Sequence, residues 1–180
     1  MHFKVTVNGK ELERHDARED DLLIDFLHEE GLTGTKFSCG IGQCGSCKVA
    51  VQAGKDPEMI PVLACFARLD SIQGMRVTTV EGLHGRGKLH PLQDAFLKGY
   101  AFQCGYSTPG MLMAGHILIE RLRHQPVETR NLDREITSAI SGHVCRCTGY
   151  IRYYQAIKDV ILSWGGKALV KPSARPPKAG

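Results

Sequence analysis

Residues 37–47 read Phe37-Ser38-Cys39-Gly40-Ile41-Gly42-Gln43-Cys44-Gly45-Ser46-Cys47, and this stretch decides the fold of the first half of the chain. Three cysteines stand in it with the spacing C-x4-C-x2-C, and Cys65 follows eighteen positions after Cys47. Neither a helical nor a strand period fits residues 33–47, so a loop is expected there. A loop that brings three sulfurs to one point must turn its amide N–H groups inward. Gly40, Gly42 and Gly45 permit the backbone angles this needs, because glycine enters the left-handed region at little cost. Four thiolates, three from one loop and one from a distant segment, form a soft anionic donor set.

This is the spacing of a plant-type [2Fe–2S] centre, with Cys39, Cys44, Cys47 and Cys65 as the expected metal ligands. Two other readings fit less well. A disulfide framework belongs to secreted chains, and the polar, alternating start MHFKVTVNGKE does not read as a signal peptide. A zinc site usually pairs one C-x2-C with another, or with histidines. The flanks agree with an iron–sulfur domain. Phe3, Val5 and Val7 alternate with polar residues as a half-buried strand, and Asn8-Gly9 is a hairpin signal before a return strand over 10–15. Asp20 or Asp21 can cap a helix carrying Leu22, Leu23, Phe26 and Leu27, with Gly31 as its stop. Lys48–Gln52 and Met75–Val80 read as further strands.

The texture changes at residues 81–90, EGLHGRGKLH, which hold three glycines and read as a linker. Helical periodicity dominates beyond it. Pro91 suits a first helical turn, with Leu92, Ala95 and Phe96 inward. Thr108 can cap a second helix with Pro109 at its first position, and Asn131 a third bearing Leu132, Ile136, Ala139 and Ile140. The fourth carries Ile151, Tyr154, Ile157, Ile161 and Trp164 at spacings of three or four. The end of the chain, Gly165 to Gly180, has three prolines, four positive charges and no acid, and is read as a flexible or partner-bound strap. The expected division is therefore 1–80, a linker at 81–90, 91–165, and a basic Pro-rich tail at 166–180.

Three more cysteines fall in the helical half. Cys104 precedes the second helix, and Cys145 and Cys147 precede the fourth, where exposed N–H groups and the helix dipole favour thiolates. Three thiolates do not complete a two-iron cluster. The fourth group is best sought three residues after Cys104, and that position is Ser107. A three-cysteine zinc site completed by a histidine, or three core cysteines, are the alternatives from spacing alone.

Composition narrows the function. The 180 residues carry 23 Lys plus Arg against 19 Asp plus Glu, a difference of +4 spread along the chain, which is no nucleic-acid footprint. No run approaches the ~18 apolar residues of a membrane span. No nucleophile–base pair, phosphate loop or paired carboxylates suggest catalysis by this chain alone.

With these motifs in hand, the chain resembles the iron–sulfur subunit of the molybdenum hydroxylases, the xanthine dehydrogenase, aldehyde oxidase and carbon monoxide dehydrogenase group. The resemblance rests on Gly34-Thr35-Lys36 through Cys47, on Cys65, on Gln103 to Met111, and on Cys145 to Tyr150, and covers residues 1 to about 165. It implies an α+β architecture: an N-terminal β-grasp plant-type ferredoxin domain, then a C-terminal four-helix bundle, each with one [2Fe–2S] cluster. It implies an electron-transfer subunit of an oxidoreductase complex, not catalytic alone. Electrons from a molybdopterin-binding large subunit would pass through both clusters to an external acceptor, which a flavin or cytochrome subunit can provide. By analogy the second cluster lies on Cys104, Cys145 and Cys147, with Gln103 and Cys147 against the pterin. The family pattern Cys-Gly-Tyr-Cys-Thr-Pro-Gly has Ser107 at its second cysteine here. A serine oxygen is a harder ligand than thiolate and should lower the cluster's potential; a water ligand, a damaged cluster or a deliberate substitution are the other readings. A free two-cluster ferredoxin or redox sensor, and a zinc-stapled interaction module, are the competing functions. Cytoplasmic assembly is expected, with a periplasmic destination if a partner carries the export signal.

Overall fold

The structure, a computed structural model, describes residues 1–54, 56–85, 87–165 and 169–173. Strands β1 (Phe3–Val7) and β2 (Lys10–Arg14) pair antiparallel, Phe3 opposite Arg14 and Val7 opposite Lys10. Asn8 and Gly9 both have positive φ, 51° and 82°, the two-residue turn whose twist matches a hairpin. Helix α1 (Leu23–Glu29) follows, then β3 (Lys48–Gln52), β4 (Ile60–Leu63) and β5 (Arg76–Thr78). The sheet order is β2-β1-β5-β3-β4, with β1 and β5 parallel and the other neighbours antiparallel.

The period-2 pattern puts Phe3, Val5, Val7, Val49, Val51 and Val77 on one face, against Leu23, Phe26 and Leu27 of α1. Phe3 and Phe26 meet edge to face at 5.1 Å. Each such side chain contributes about 1.5–3 kcal/mol on burial, so this face holds the sheet to α1. Leu22, and neither Asp20 nor Asp21, occupies the cap position of α1, without a side-chain bond. Asp21 instead accepts from the Arg18 N–H at 3.0 Å and from Arg14 at 3.3 Å. Gly31 ends the helical segment at φ 78°. The last strand is shorter than expected, 76–78 and not 75–80.

The second half is helical: α2 (Pro91–Lys98), α3 (Thr108–His124), α4 (Leu132–Ser141) and α5 (Ile151–Val160), the last continuing as a π-turn over Ile161–Gly165. His90 caps α2: its Nδ1 accepts from the Leu92 N–H at 3.2 Å, and Gln93 Oε1 accepts from the His90 N–H at 2.9 Å. Leu92, Phe96, Met111, Ile119, Leu132, Ile136, Tyr153 and Ile157 share one core. Helix α3 is buried on most sides, Gly110 through Ile119, because it also packs on β3 and β4. It is the element that joins the two halves.

Three expectations need correction. Residues 81–90 are not a bare linker: Val80–Leu83 form a 3₁₀ turn and Leu83 is buried in the helical core. The buried face of α5 is Tyr153, Ala156, Ile157 and Val160, whereas Ile151 is 75% exposed. The sequence spacing is helical either way, and the loop before the helix sets its rotation; the side chain of Trp164 lies outside the described residues. In the tail, Leu169 and Val170 are buried, and strand β7 (Val170–Lys171) pairs in parallel with β6 (Val127–Glu128). That stretch is strapped to its own chain. Residues 166–168 and 174–180 of the tail expectation lie outside the described residues.

Candidate metal centres

Gly40, Gly42 and Gly45 have φ of 69°, 70° and 74°. These repeated left-handed residues curl the loop so that its amides face the sulfur of Cys39, which accepts from the N–H of Gln43 and of Cys44, each at 3.4 Å. Amide donors from Cys44, Ile41 and Gln43 pull the Cys39 thiol down to about 6. Deeper in, the Cys65 N–H donates to Cys47 Sγ at 3.5 Å. Burial pushes the Cys47 thiol up to about 12, so without a metal it keeps its proton. Cys44, Cys47 and Cys65 are buried and Cys39 half-buried. Cys47 lies within electrostatic reach of both Cys44 and Cys65. An inward ring of N–H donors around grouped thiols fits an anionic sulfur-bridged cluster, whose charge the dipoles offset.

The second group gathers at the open ends of α3 and α5. Cys104 and Cys147 are exposed, with sulfurs 3.6 Å apart, and Cys145 is half-buried beside them. Cys145 Sγ meets Thr148 Oγ1 at 3.3 Å. Ser107 is buried and occupies the cap position of α3 without making a capping bond, with its hydroxyl near Cys145 and Tyr153. Three thiols and one hydroxyl therefore converge. Gln103 and Cys147 are also brought together, the Gln103 Nε2 donating to the Cys147 carbonyl at 2.9 Å.

The two groups touch through their own loops. The Val144 N–H donates to the Cys44 carbonyl at 2.9 Å. His143 is buried against Gly45, where an added Cβ would stand 2.6 Å from its ring. Burial holds its imidazole down to about 4, so it is neutral. Tyr150 fixes this crossing: its hydroxyl donates to the His143 carbonyl at 2.9 Å and accepts from the Cys145 N–H at 3.0 Å. Sequence reading missed the roles of His143, Thr148 and Tyr150. Tyr150 stood inside the quoted motif, but nothing local marks His143. A separate exposed trio, His2, Glu13 and His15, lies on the β1–β2 hairpin; Lys4 already neutralises Glu13 there. Among the described residues no helix is long and apolar enough to cross a membrane.

Comparison with known proteins agrees with this arrangement. Residues 5–70 match the 2Fe-2S iron-sulfur cluster binding domain, and residues 79–158 match the [2Fe-2S] binding domain. The chain is 41% identical over 150 residues to aldehyde oxidase 2 of Cavia porcellus, covering 80% of this chain and 11% of that protein. It is 39% identical over 155 residues to xanthine dehydrogenase 2 of Arabidopsis thaliana, covering 83% and 11%. The chain thus spans about a tenth of the length of these relatives. A chain of quinoline 2-oxidoreductase from Pseudomonas putida 86 superposes with a TM-score of 0.77 at 34% identity, covering 93% of this chain and 96% of that one. The aldehyde oxidoreductase from Desulfovibrio desulfuricans gives 0.78 at 30% identity, covering 92% and 17%. With both cysteine groups, both domain matches and a full-length structural relative in agreement, this chain belongs to the molybdenum hydroxylase family, as its two-domain [2Fe–2S] iron–sulfur part.

Proposed function

We propose that this chain is the electron-transfer subunit of a molybdenum-dependent hydroxylase, holding two [2Fe–2S] clusters between a molybdopterin-binding large subunit and an external acceptor. One observation carries this reading: the hydrogen bond from the Val144 N–H to the Cys44 carbonyl. Cys44 belongs to the first cysteine group, and Val144 adjoins Cys145 of the second. Covalent bonds and this single hydrogen bond make a continuous bridge between the groups, a better electronic connection than a gap.

Cys39, Cys44, Cys47 and Cys65 would hold the first cluster, in a β-grasp domain over residues 1–80. Cys104, Ser107, Cys145 and Cys147 would hold the second, in a four-helix bundle over residues 91–165. When bound, each cluster supplies one-electron carrier chemistry. The chain's part is to ligate, to tune by amide donors, and to connect. Exposed Cys104 and Cys147, with Gln103 bonded to the Cys147 carbonyl, suit contact with a pterin held by the partner. Phe37, Ile41 and Phe66 near the first group, and Tyr100, Tyr106, Val144 and Ile151 near the second, are exposed. Apolar surface around both groups favours a docked chain over a free ferredoxin. We place assembly in the cytoplasm, with a periplasmic destination if a partner carries the export signal.

The test is anaerobic purification of the tagged full chain from its native host, with metal analysis and identification of bound subunits. Stoichiometric molybdenum, and a pterin-carrying partner, are expected. A chain that purifies alone with iron but no molybdenum contradicts the subunit reading.

A further inference from the structure

Val144 is where the two cysteine groups meet, yet its side chain is 63% exposed, so burial does not anchor it. Its neighbours set its N–H 2.9 Å from the Cys44 carbonyl. The Tyr150 hydroxyl accepts from the Cys145 N–H at 3.0 Å and lies 2.9 Å from the His143 carbonyl. A phenol has a single proton and an amide N–H can only donate, so the phenol proton goes to the His143 carbonyl. One hydroxyl therefore grips the chain on both sides of Val144. On the first side, the His143 N–H donates to the Ile140 carbonyl at 3.0 Å, and its Nδ1 lies 3.2 Å from the same oxygen. The His143 ring packs on Gly45, whose nitrogen is bonded to the Cys44 carbonyl carbon. Tyr150 itself stands at φ 68°, a left-handed conformation that costs a residue with a side chain and persists where other contacts hold it.

We propose that Tyr150, backed by the His143 ring, is a positioning residue for electron transfer between the two groups: by gripping the peptides on either side of Val144, it keeps the Val144 N–H on the Cys44 carbonyl. This rests on the reading of the two groups as the sites of two [2Fe–2S] clusters. One electron leaves the site of Cys104, Ser107, Cys145 and Cys147, which is oxidised, and reduces the site of Cys39, Cys44, Cys47 and Cys65. No bond forms or breaks, and no proton moves. Electronic coupling weakens steeply where a bonded path opens to a gap. A loop free to pull Val144 from Cys44 therefore slows transfer while leaving the ligands of both sites unchanged.

The experiment uses the full chain carrying its clusters, as wild type, Tyr150→Phe, His143→Ala and Tyr154→Phe. Flash photoreduction with rapid-freeze EPR reads how fast an electron redistributes between the two signals. A redox titration reads both midpoints, and hydrogen–deuterium exchange reads the Val144 amide. Tyr150→Phe is expected to slow redistribution severalfold with both midpoints in place. It should quicken Val144 exchange by roughly tenfold, the change one lost hydrogen bond makes in a local opening equilibrium. His143→Ala should act in the same direction, and carries the test if Tyr150→Phe fails to fold. Tyr154→Phe removes another hydroxyl bond of α5, to Asp133 at 2.5 Å, and should leave both rates at wild-type values. Faster Val144 exchange with unchanged electron redistribution overturns the proposal, since electrons then do not use this bridge. Unchanged exchange in Tyr150→Phe and His143→Ala, slowing that a moved midpoint explains, or equal slowing in Tyr154→Phe also overturns it. A wild-type chain with one cluster signal instead brings down the two-cluster reading itself.

Discussion

Gly45 meets two demands at once: φ of 74°, and a neighbour, the His143 ring, that leaves no room for a Cβ. Gly45→Ala should therefore cost about 2–4 kcal/mol, combining left-handed strain with overpacking at the contact between the cysteine groups. Denaturant unfolding measures it; a cost within 0.5 kcal/mol, the usual scatter of surface substitutions, would mean that this contact is loose. His116, on α3, makes a second residue-scale case. It is buried, its ring meets His90 edge to face at 5.3 Å, and its Nδ1 has no hydrogen-bond partner among the described residues. Burial first, then the charges of His90 and Arg123, pulls it from 6.5 to about 4. The folded pKa lies below the unfolded one, so the unfolded chain takes up this proton first. Stability is full above about pH 6.5 and falls as pH drops toward 4, by on the order of 3 kcal/mol across that window. His116→Gln should flatten the decline between pH 7.5 and 5 in chemical denaturation, and an unchanged slope would assign it elsewhere.

At the scale of elements, the 3₁₀ turn leading out of the sheet half is held to that half by a small polar network. The Gly34 N–H donates to Glu81 Oε1 at 2.7 Å, and Thr79 Oγ1 donates to Glu81 Oε2 at 2.6 Å. The Thr79 N–H donates to Asn8 Oδ1 at 2.9 Å. The hairpin turn, the start of the first cysteine loop and the 3₁₀ turn are thereby fastened together. Glu81→Ala should cost about 1–3 kcal/mol by leaving donors unsatisfied, and should hasten loss of the first cluster's visible absorbance. Bleaching at the wild-type rate would show that Glu81 does not hold the loop. Sequence alone could not reveal this, because Glu81 acts on Gly34, which lies 47 positions away. What was legible was local: the Asn8-Gly9 turn, the cysteine spacing, Pro91 and Pro109 at helix starts, and the helical periods. Strand β4 was missed because Ile60-Pro61-Val62-Leu63 contains a proline and does not alternate, as an edge strand can. The rotation of α5 was missed because Tyr150, at φ 68°, turns the chain just before it, and periodicity does not fix a starting angle.

For the whole molecule, two cysteine groups in two packed halves predict about four irons and four sulfides per chain. The groups come from separate elements, so they should be separable. Cys47 is the most deeply buried cysteine of the first group, 1% exposed, and Cys47→Ala should remove that cluster and weaken the sheet half, since ligation is coupled to folding. The second group draws on loops before α3 and α5 and should survive. The most direct measurement is EPR spectroscopy of the reduced full chain, anaerobically prepared, beside its Cys47→Ala variant. Two [2Fe–2S] signals of equal spin intensity are expected in the wild type, with one missing and the other unchanged in the variant. A single signal in the wild type, zinc in place of iron, or loss of both signals while the helical half stays folded would contradict a two-cluster electron carrier.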